Sequence, residues 1–229
     1  MTTTLMLIVG ILGGGIAGFL VTARGVRQCR KPSDRAGRAV LHRMNLSHAE
    51  LTTWGLSHVQ IAPGFTILDV GCGGGRTIER LTSIASEGKV YGIDYSEESV
   101  AVARETNHAE VQRGRVDIRQ GTVSQLPFAD EMFDLVVAVE THYYWPDLPR
   151  DVREVSRVLK RGGAFLLVAE AYRGRKNDWL YRPVMRLLLR AAYLSVEEHR
   201  QLLENAGYRD VEIIEEHSRG WICAVGHKP

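Results

Sequence analysis

The stretch Thr66-Ile67-Leu68-Asp69-Val70-Gly71-Cys72-Gly73-Gly74-Gly75 decides the fold. A short apolar run leads directly into Asp69-x-Gly71-x-Gly73-x-Gly75, and an amphipathic pattern begins at once with Ile78, Leu81 and Ile84. Strand, tight glycine turn and helix in that order form the first unit of a doubly wound nucleotide-binding sheet. The glycines permit a sharp turn and close approach of a ligand to the backbone. Asp69 next to the turn would repel a pyrophosphate and suits a cationic ligand better.

A second acid extends the pattern. Lys89–Asp94 reads as a strand ending in a carboxylate, about 20 residues past the glycines, where an acid typically accepts hydrogen bonds from ribose hydroxyls. Further strands fit residues 116–120, 134–139 and 163–169, with helices near 75–86, 96–109 and 148–159. Ser96 is a candidate N-cap with Glu97 and Glu98 in the first turn. Ser195-x-x-Glu198 has capping-box form and Gly207 is a candidate C′ glycine, which places a late helix at 196–206. A sixth strand runs through Val211 and Ile213, and a seventh fits Trp221–Val225.

The glycine motif and Gly92-Ile93-Asp94-Tyr95-Ser96 together resemble the class I S-adenosylmethionine (SAM) methyltransferases. Gln120–Phe128 resembles that family's adenine loop, Phe133–Glu140 its fourth strand, and Leu159–Gly163 the turn into its fifth. The resemblance runs in order from about residue 64 to the C-terminus. It implies a Rossmann-like α/β sheet of seven strands, the last antiparallel and lying between the fifth and sixth. It also implies that Gly71, Cys72 and Gly73 line the methionine part of SAM, with Asp69 orienting its ammonium. Asp94 would hold the ribose, Tyr95 would flank the adenine, Thr122 and Val123 would meet it, and Glu140 would lie beside the methionine moiety. Gly121-Thr122-Val123 replaces the Gly-Asp-Ala of many relatives, so a carboxylate for the adenine amino group is missing and Thr122 is the substitute acceptor.

SAM carries an already activated methyl group, so the protein's task is positioning and exclusion of water. No metal is required by this chemistry. After the fourth strand comes Thr141-His142-Tyr143-Tyr144-Trp145-Pro146-Asp147, at the strand end that faces the crevice of such sheets. His142 is the general-base candidate, with an ordinary pKa near 6.5; packing alone is the competing role. Tyr143, Tyr144 and Trp145 are candidates for an apolar substrate wall, and His48, Trp54 and His58 for residues pointing into the site from helices before the core. The Asn/Asp-Pro-Pro-aromatic signature of amino-methylating branches is absent, and the fourth-strand tail is closest to small-molecule methyltransferases of quinone and sterol pathways. Two other readings stay open: a SAM-binding protein without catalysis, and an NAD(P)-dependent oxidoreductase, which Asp69 disfavours.

The chain has 229 residues and a formal net charge of +2, which fits one domain with appendages and gives no nucleic-acid footprint. Cys29, Cys72 and Cys223 have neither disulfide-framework nor zinc spacing, and a reducing compartment is the simplest reading. Residues 1–23 read as an N-terminal anchor helix, because residues 2–23 carry no charged side chain and Leu5–Val21 is almost wholly apolar. Roughly 20 helical residues rise about 30 Å, enough to span a bilayer. Arg24, Arg27, Arg30, Lys31, Arg35 and Arg38 follow, which puts the catalytic domain on the cytoplasmic side. Positive charge after the apolar run argues for a retained anchor over a cleaved signal. Gly13-x-Gly15-x-x-Gly18 mimics a dinucleotide fingerprint without the acid-ending strand, and Gly10, Gly14 and Gly18 form a small-residue stripe. Residues 24–63 read as a basic linker followed by helices at 36–44 and 48–58, ended by Pro63-Gly64. By the resemblance, residues 64–229 read as the SAM-binding methyltransferase domain. Within it, 171–194 is an addition that either caps the substrate, packs on the sheet edge or lies on a membrane. The acceptor expected is a small, apolar or membrane-soluble molecule, and the oligomeric state is not legible.

Overall fold

The computed structural model describes residue 28 and residues 30–229. The expected apolar helix and both glycine patterns inside it lie outside the described residues. Among the described residues no helix is long and apolar enough to cross a membrane.

Seven strands form one sheet: β1 (Thr66–Val70), β2 (Lys89–Asp94), β3 (Val116–Gln120), β4 (Phe133–Val139), β5 (Leu159–Ala169), β6 (Arg209–Glu216) and β7 (Trp221–His227). Their order is β3-β2-β1-β4-β5-β7-β6. The first five are parallel, and β7 runs antiparallel between β5 and β6. The strand order reverses between β1, which follows on to β2, and β4, so the crevice at the carboxyl ends of β1 and β4 is where this architecture binds ligands.

The helices are α1 (Asp34–Ser47), α2 (Ala49–Leu56), α3 (Arg76–Ile84), α4 (Glu97–Thr106), α5 (His108–Gln112), α6 (Leu148–Val158), α7 (Asp178–Pro183) and α8 (Val196–Asn205). One face of the sheet buries Ile67, Val137 and Val168 against Leu51 of α2, Ile78 and Leu81 of α3 and Val100 of α4. The other buries Leu68, Val136 and Phe165 against Val152 and Val155 of α6, Tyr181 of α7 and Leu203 of α8. Covering both faces explains why β1, β4 and β5 read as continuous apolar runs rather than alternating ones.

Three local departures from the sequence reading have identifiable causes. The helix expected over 96–109 breaks at Asn107, whose buried side-chain amide donates to the carbonyls of Gly75 and Ala103, both at 2.9 Å. β5 starts at Leu159 instead of 163, because Leu159 already pairs with Phe133; the register then shifts before Leu135 meets Ala164. Gly162, at φ 76°, supplies the left-handed residue such a bulge needs. The first helix is longer than 36–44. Ser195 closes the expected capping box with Glu198, and Ser96 caps α4 by accepting from the Ser99 N–H.

The addition at 171–194 folds as α7 and one π-helical turn, Val184–Leu188, that follows Pro183. Tyr172, Tyr181, Met185 and Tyr193 are buried in the core on the α6–α8 face. None of residues 171–194 lines the cavity described next; the segment packs on the sheet.

Candidate active site

A cavity of about 240 Å³ opens at the carboxyl ends of β1, β2 and β4. Liquid water takes about 30 Å³ per molecule, so the space suits a ligand rather than a single trapped water. The glycine turn forms one wall. Gly71 sits at φ 77°, a left-handed conformation open to glycine, and a Cβ there would run into the Thr141 side chain. Asp94 ties the turn to β2: its Oδ2 accepts from the Gly73 N–H at 3.0 Å and its Oδ1 from the Ser96 N–H at 2.9 Å. From above, the Asn45 amide of α1 donates to the Gly74 carbonyl at 3.1 Å.

All nine residues expected at the cofactor line this cavity: Asp69, Gly71, Cys72, Gly73, Asp94, Tyr95, Thr122, Val123 and Glu140. Asp69 is 1% exposed, and its Oδ2 has no hydrogen-bond partner among the described residues. Burial first, and the neighbouring Asp94 second, push its pKa up to about 8. A buried carboxylate oxygen facing a cavity without a donor is a place for a cationic group. Burial also raises Asp94, while the N–H groups of Ser96 and Gly73 pull it back. Burial drives the Cys72 thiol well above its ordinary range, so it is no nucleophile here.

The opposite wall comes from α1, α2 and the segment after β4. Leu41, Met44, Asn45 and His48 lie on one face of α1 and its C-cap, at helical spacing, and all line the cavity. Thr52, Thr141, Tyr144, Trp145 and Pro146 complete it. Residues Arg30 and Pro32, read from sequence as linker, also belong to the wall. The Ser96 hydroxyl donates to the Pro32 carbonyl at 2.7 Å, and Tyr95 donates its hydroxyl to the Arg30 carbonyl.

Four expected site residues, His142, Tyr143, Trp54 and His58, do not reach the cavity. His142 is 0% exposed and absent from the lining. The segment His142–Tyr144 is a 3₁₀ turn, in which residues three apart share a direction. Thr141 and Tyr144 face the cavity, while His142 and Tyr143 turn into the core; Trp145, where the backbone becomes extended, leaves the turn and reaches the cavity. The His142 Nε2 lies 3.3 Å from the Nε2 of His199 on α8, whose Nδ1 is 2.7 Å from the Ser195 carbonyl. Burial, then His199, holds the His142 pKa well below the ordinary value, so it is a neutral core residue rather than a base. Tyr143 is 4% exposed and donates its hydroxyl to Glu140 Oε1 at 2.6 Å; it supports the site from behind. Trp54 packs instead with its ring 5.7 Å from Trp221 and 4.9 Å from His58.

His48 does face the cavity. Burial lowers its pKa, and the nearby Glu170 partly offsets this. Glu140 stands at φ 58° directly after β4, accepts from the Glu170 N–H at 2.5 Å, and has its pKa pushed up to about 8 by burial and by the charge of Glu170. Glu170 escaped the sequence reading. It directly follows β5, a strand end where this architecture places functional groups, and that position was the available signal. Leu41, Met44 and Asn45 also escaped the sequence reading, although their helical spacing with His48 was an available signal.

Comparison with known proteins agrees with this geometry. Residues 68–167 match the methyltransferase domain family. That match covers less than half of the chain; with the methyltransferase relatives and structures it supports a SAM-dependent methyltransferase with SAM as cofactor, against the NAD(P)-dependent oxidoreductase reading. Over 106 residues the chain is 34% identical to a demethylmenaquinone methyltransferase of Desulfitobacterium hafniense (strain Y51), covering 46% of this chain and 42% of that one. Over 189 residues it is 29% identical to an O-methyltransferase of Pyrenophora dematioidea, covering 81% of this chain and 70% of that one. The crystal structure of a SAM-dependent methyltransferase from Aquifex aeolicus shares the fold, with a TM-score of 0.67 at 22% identity over 82% of this chain and 96% of that one. The chain thus spans less than half the length of the Desulfitobacterium relative.

Proposed function

We propose that the chain transfers the methyl group of SAM to a small, largely apolar acceptor, and that it does so at a membrane. One observation carries the reading: a single cavity has two chemically distinct walls. The wall of Asp69, Gly71, Gly73 and Asp94 offers carboxylates and close backbone, as a cationic, ribose-bearing cofactor needs. The wall of Leu41, Met44, Tyr144 and Trp145 offers apolar and aromatic surface for a second molecule. Asp69 would take the ammonium of SAM, Asp94 the ribose hydroxyls, and Tyr95, Thr122 and Val123 the adenine. When bound, SAM supplies an electrophilic methyl carbon. The chain's residues hold the acceptor in line with it and exclude water, which is where most of the rate acceleration in such a transfer arises. A protein that only binds SAM would not need the second wall.

The apolar acceptor is supported by that wall and by the demethylmenaquinone methyltransferase relative, whose name specifies a lipid-soluble quinone. The uncharged stretch Leu5–Val21 and the basic residues after it support a single N-terminal span with this domain on the cytoplasmic side. The test is incubation of the enzyme with a membrane lipid extract and methyl-labelled SAM, read by mass spectrometry. The expected result is one labelled lipid-soluble product. Label confined to water-soluble products would overturn the apolar acceptor. No label in any fraction, with SAM still bound, would favour a binding protein without catalysis.

A further inference from the structure

We propose that His48, Glu140 and Glu170 form a site for a first-row divalent cation at the edge of the cavity. The three residues come from three elements: His48 joins α1 to α2, Glu140 directly follows β4, and Glu170 directly follows β5. β4 and β5 are parallel neighbours in register, with Val139 opposite Val168 and the Glu140 N–H bonded to the Val168 carbonyl at 2.9 Å. Their two carboxylates therefore emerge side by side, and the first two helices set an imidazole against them. One ligand atom from each residue lies within 4.8 Å of the others. Donors bound to one cation at about 2.0–2.2 Å sit about 3–4 Å from each other, so small side-chain rotations close the set.

The surroundings favour a cation over an incidental cluster. Glu170 is 6% exposed and Glu140 is half-buried. Two carboxylates at one half-dry spot repel each other unless a positive charge or a proton lies between them. The donors to Glu140, the Tyr143 hydroxyl and the Glu170 N–H, are both neutral. Arg175, which donates a guanidinium N–H to the Glu170 backbone carbonyl and stacks over Tyr181 with its carbon 3.9 Å from the ring centroid, adds one favourable charge on the Glu140 side, and a bound cation would add to it. One imidazole nitrogen with two carboxylate oxygens is a donor set for zinc or manganese rather than for calcium, which takes oxygen ligands. Three protein ligands leave coordination positions open, as catalytic rather than structural sites do. His48 and Glu140 line the cavity, so those positions face it.

The use of such a cation rests on the proposed methyl transfer. An acceptor hydroxyl bound at the open position would give up its proton to water more readily. Its oxygen lone pair would then form the bond to the methyl carbon, and the pair of the broken carbon–sulfur bond would stay on sulfur. The cation keeps its oxidation state throughout.

The test loads metal without SAM, so its failure is separable from failure of the transfer reading. The full-length chain in detergent is stripped with chelator and titrated with Mn²⁺, followed by electron paramagnetic resonance, and with Zn²⁺, followed by elemental analysis after desalting. One ion per chain is expected. His48→Ala and Glu170→Gln should each weaken uptake at least tenfold, while His217→Ala, at an exposed histidine outside the cluster, should not change it. Cooperative melting confirms that each variant is folded, and Glu170→Gln keeps the side-chain volume in case His48→Ala does not fold. Wild-type protein that binds SAM but takes up neither ion overturns the site. So does uptake that is equal in wild type and in the folded cluster variants.

Discussion

The Gly73 N–H donates to Asp94 Oδ2 at 3.0 Å, which makes the acid ending β2 a structural partner of the glycine turn that follows β1. The carboxylate expected to hold a ribose is therefore already shaping the loop beside it. Asp94→Ala should lose about 1.5–3 kcal/mol of SAM affinity, the range for hydrogen bonds to a charged group, and should also loosen the turn. Asp94→Asn keeps an oxygen for one of the two backbone donors and should lose less. Calorimetric titration with SAM on folded variants checks this. Equal affinities for wild type and Asp94→Ala would remove Asp94 from the cofactor site.

The raised pKa of Asp69 gives the proposed ammonium contact a pH signature. The free protein holds this carboxyl protonated below about pH 8. A cationic ligand prefers the ionised form, so binding must release the proton. SAM affinity should accordingly rise as pH increases toward 8 and level off above it, by up to about tenfold per pH unit for one coupled proton. Asp69→Asn should bind more weakly at pH 8 and show a flatter profile. Titrations at several pH values in two buffers of different ionisation enthalpy give the proton count directly. A count of zero in wild type would contradict the contact.

The sheet was legible from sequence because three of its parallel strands carry their own markers: the glycine turn after β1, the terminal acid of β2, the apolar run of β4. The cofactor wall was legible for the same reason, since backbone and strand-end acids are fixed by local pattern. The acceptor wall was legible only in part: His48, Tyr144 and Trp145 line the cavity, while Tyr143 and Trp54 do not. Whether His142 or Tyr144 faces the cavity depends on a 3₁₀ turn, and nothing in Thr141–Trp145 distinguishes that turn from an extended exit of the strand. Glu170 gains its meaning only from lying beside Glu140 across the β4–β5 pairing. Arg30 and Pro32 read as linker because their role is played by backbone carbonyls, which leave no trace in side-chain chemistry.

The buried pair His142 and His199 should make the fold acid-sensitive. Burial lowers both pKa values in the folded protein, most strongly for His142. In the unfolded chain each titrates near 6.5. The unfolded state then binds more protons below that value, so the pair's contribution is intact above about pH 6.5 and is lost as pH falls toward the folded values, at up to about 1.4 kcal/mol per pH unit for each histidine. His142→Gln should flatten the dependence of melting temperature on pH between 6.5 and 5. Its turnover, once an acceptor is known, should stay within about threefold of wild type, because general-base catalysis is worth about 10²–10⁴-fold. A hundredfold loss of turnover in a variant with unchanged melting would restore His142 to the chemistry.

The packing of Arg30 and Pro32 separates membrane attachment from cofactor binding. If residues 5–21 are the main attachment, chains of residues 24–229 and 35–229 should both leave the membrane fraction. They should differ in SAM affinity. The longer chain keeps the Pro32 carbonyl that accepts from Ser96 at 2.7 Å and the Arg30 carbonyl that accepts from Tyr95, both at the cavity rim. The shorter one removes both, along with the Gln28 Oε1 that accepts from the Ser33 N–H at 2.8 Å, just ahead of α1. Two lost hydrogen bonds at about 1 kcal/mol each correspond to roughly 30-fold weaker SAM binding by 35–229 if they act wholly on the bound state. Fractionation and calorimetry on the two chains measure the effects independently. Equal SAM affinities would show that Arg30 and Pro32 only cover the rim, and membrane-bound 24–229 would place the attachment in this domain rather than in the apolar stretch before it.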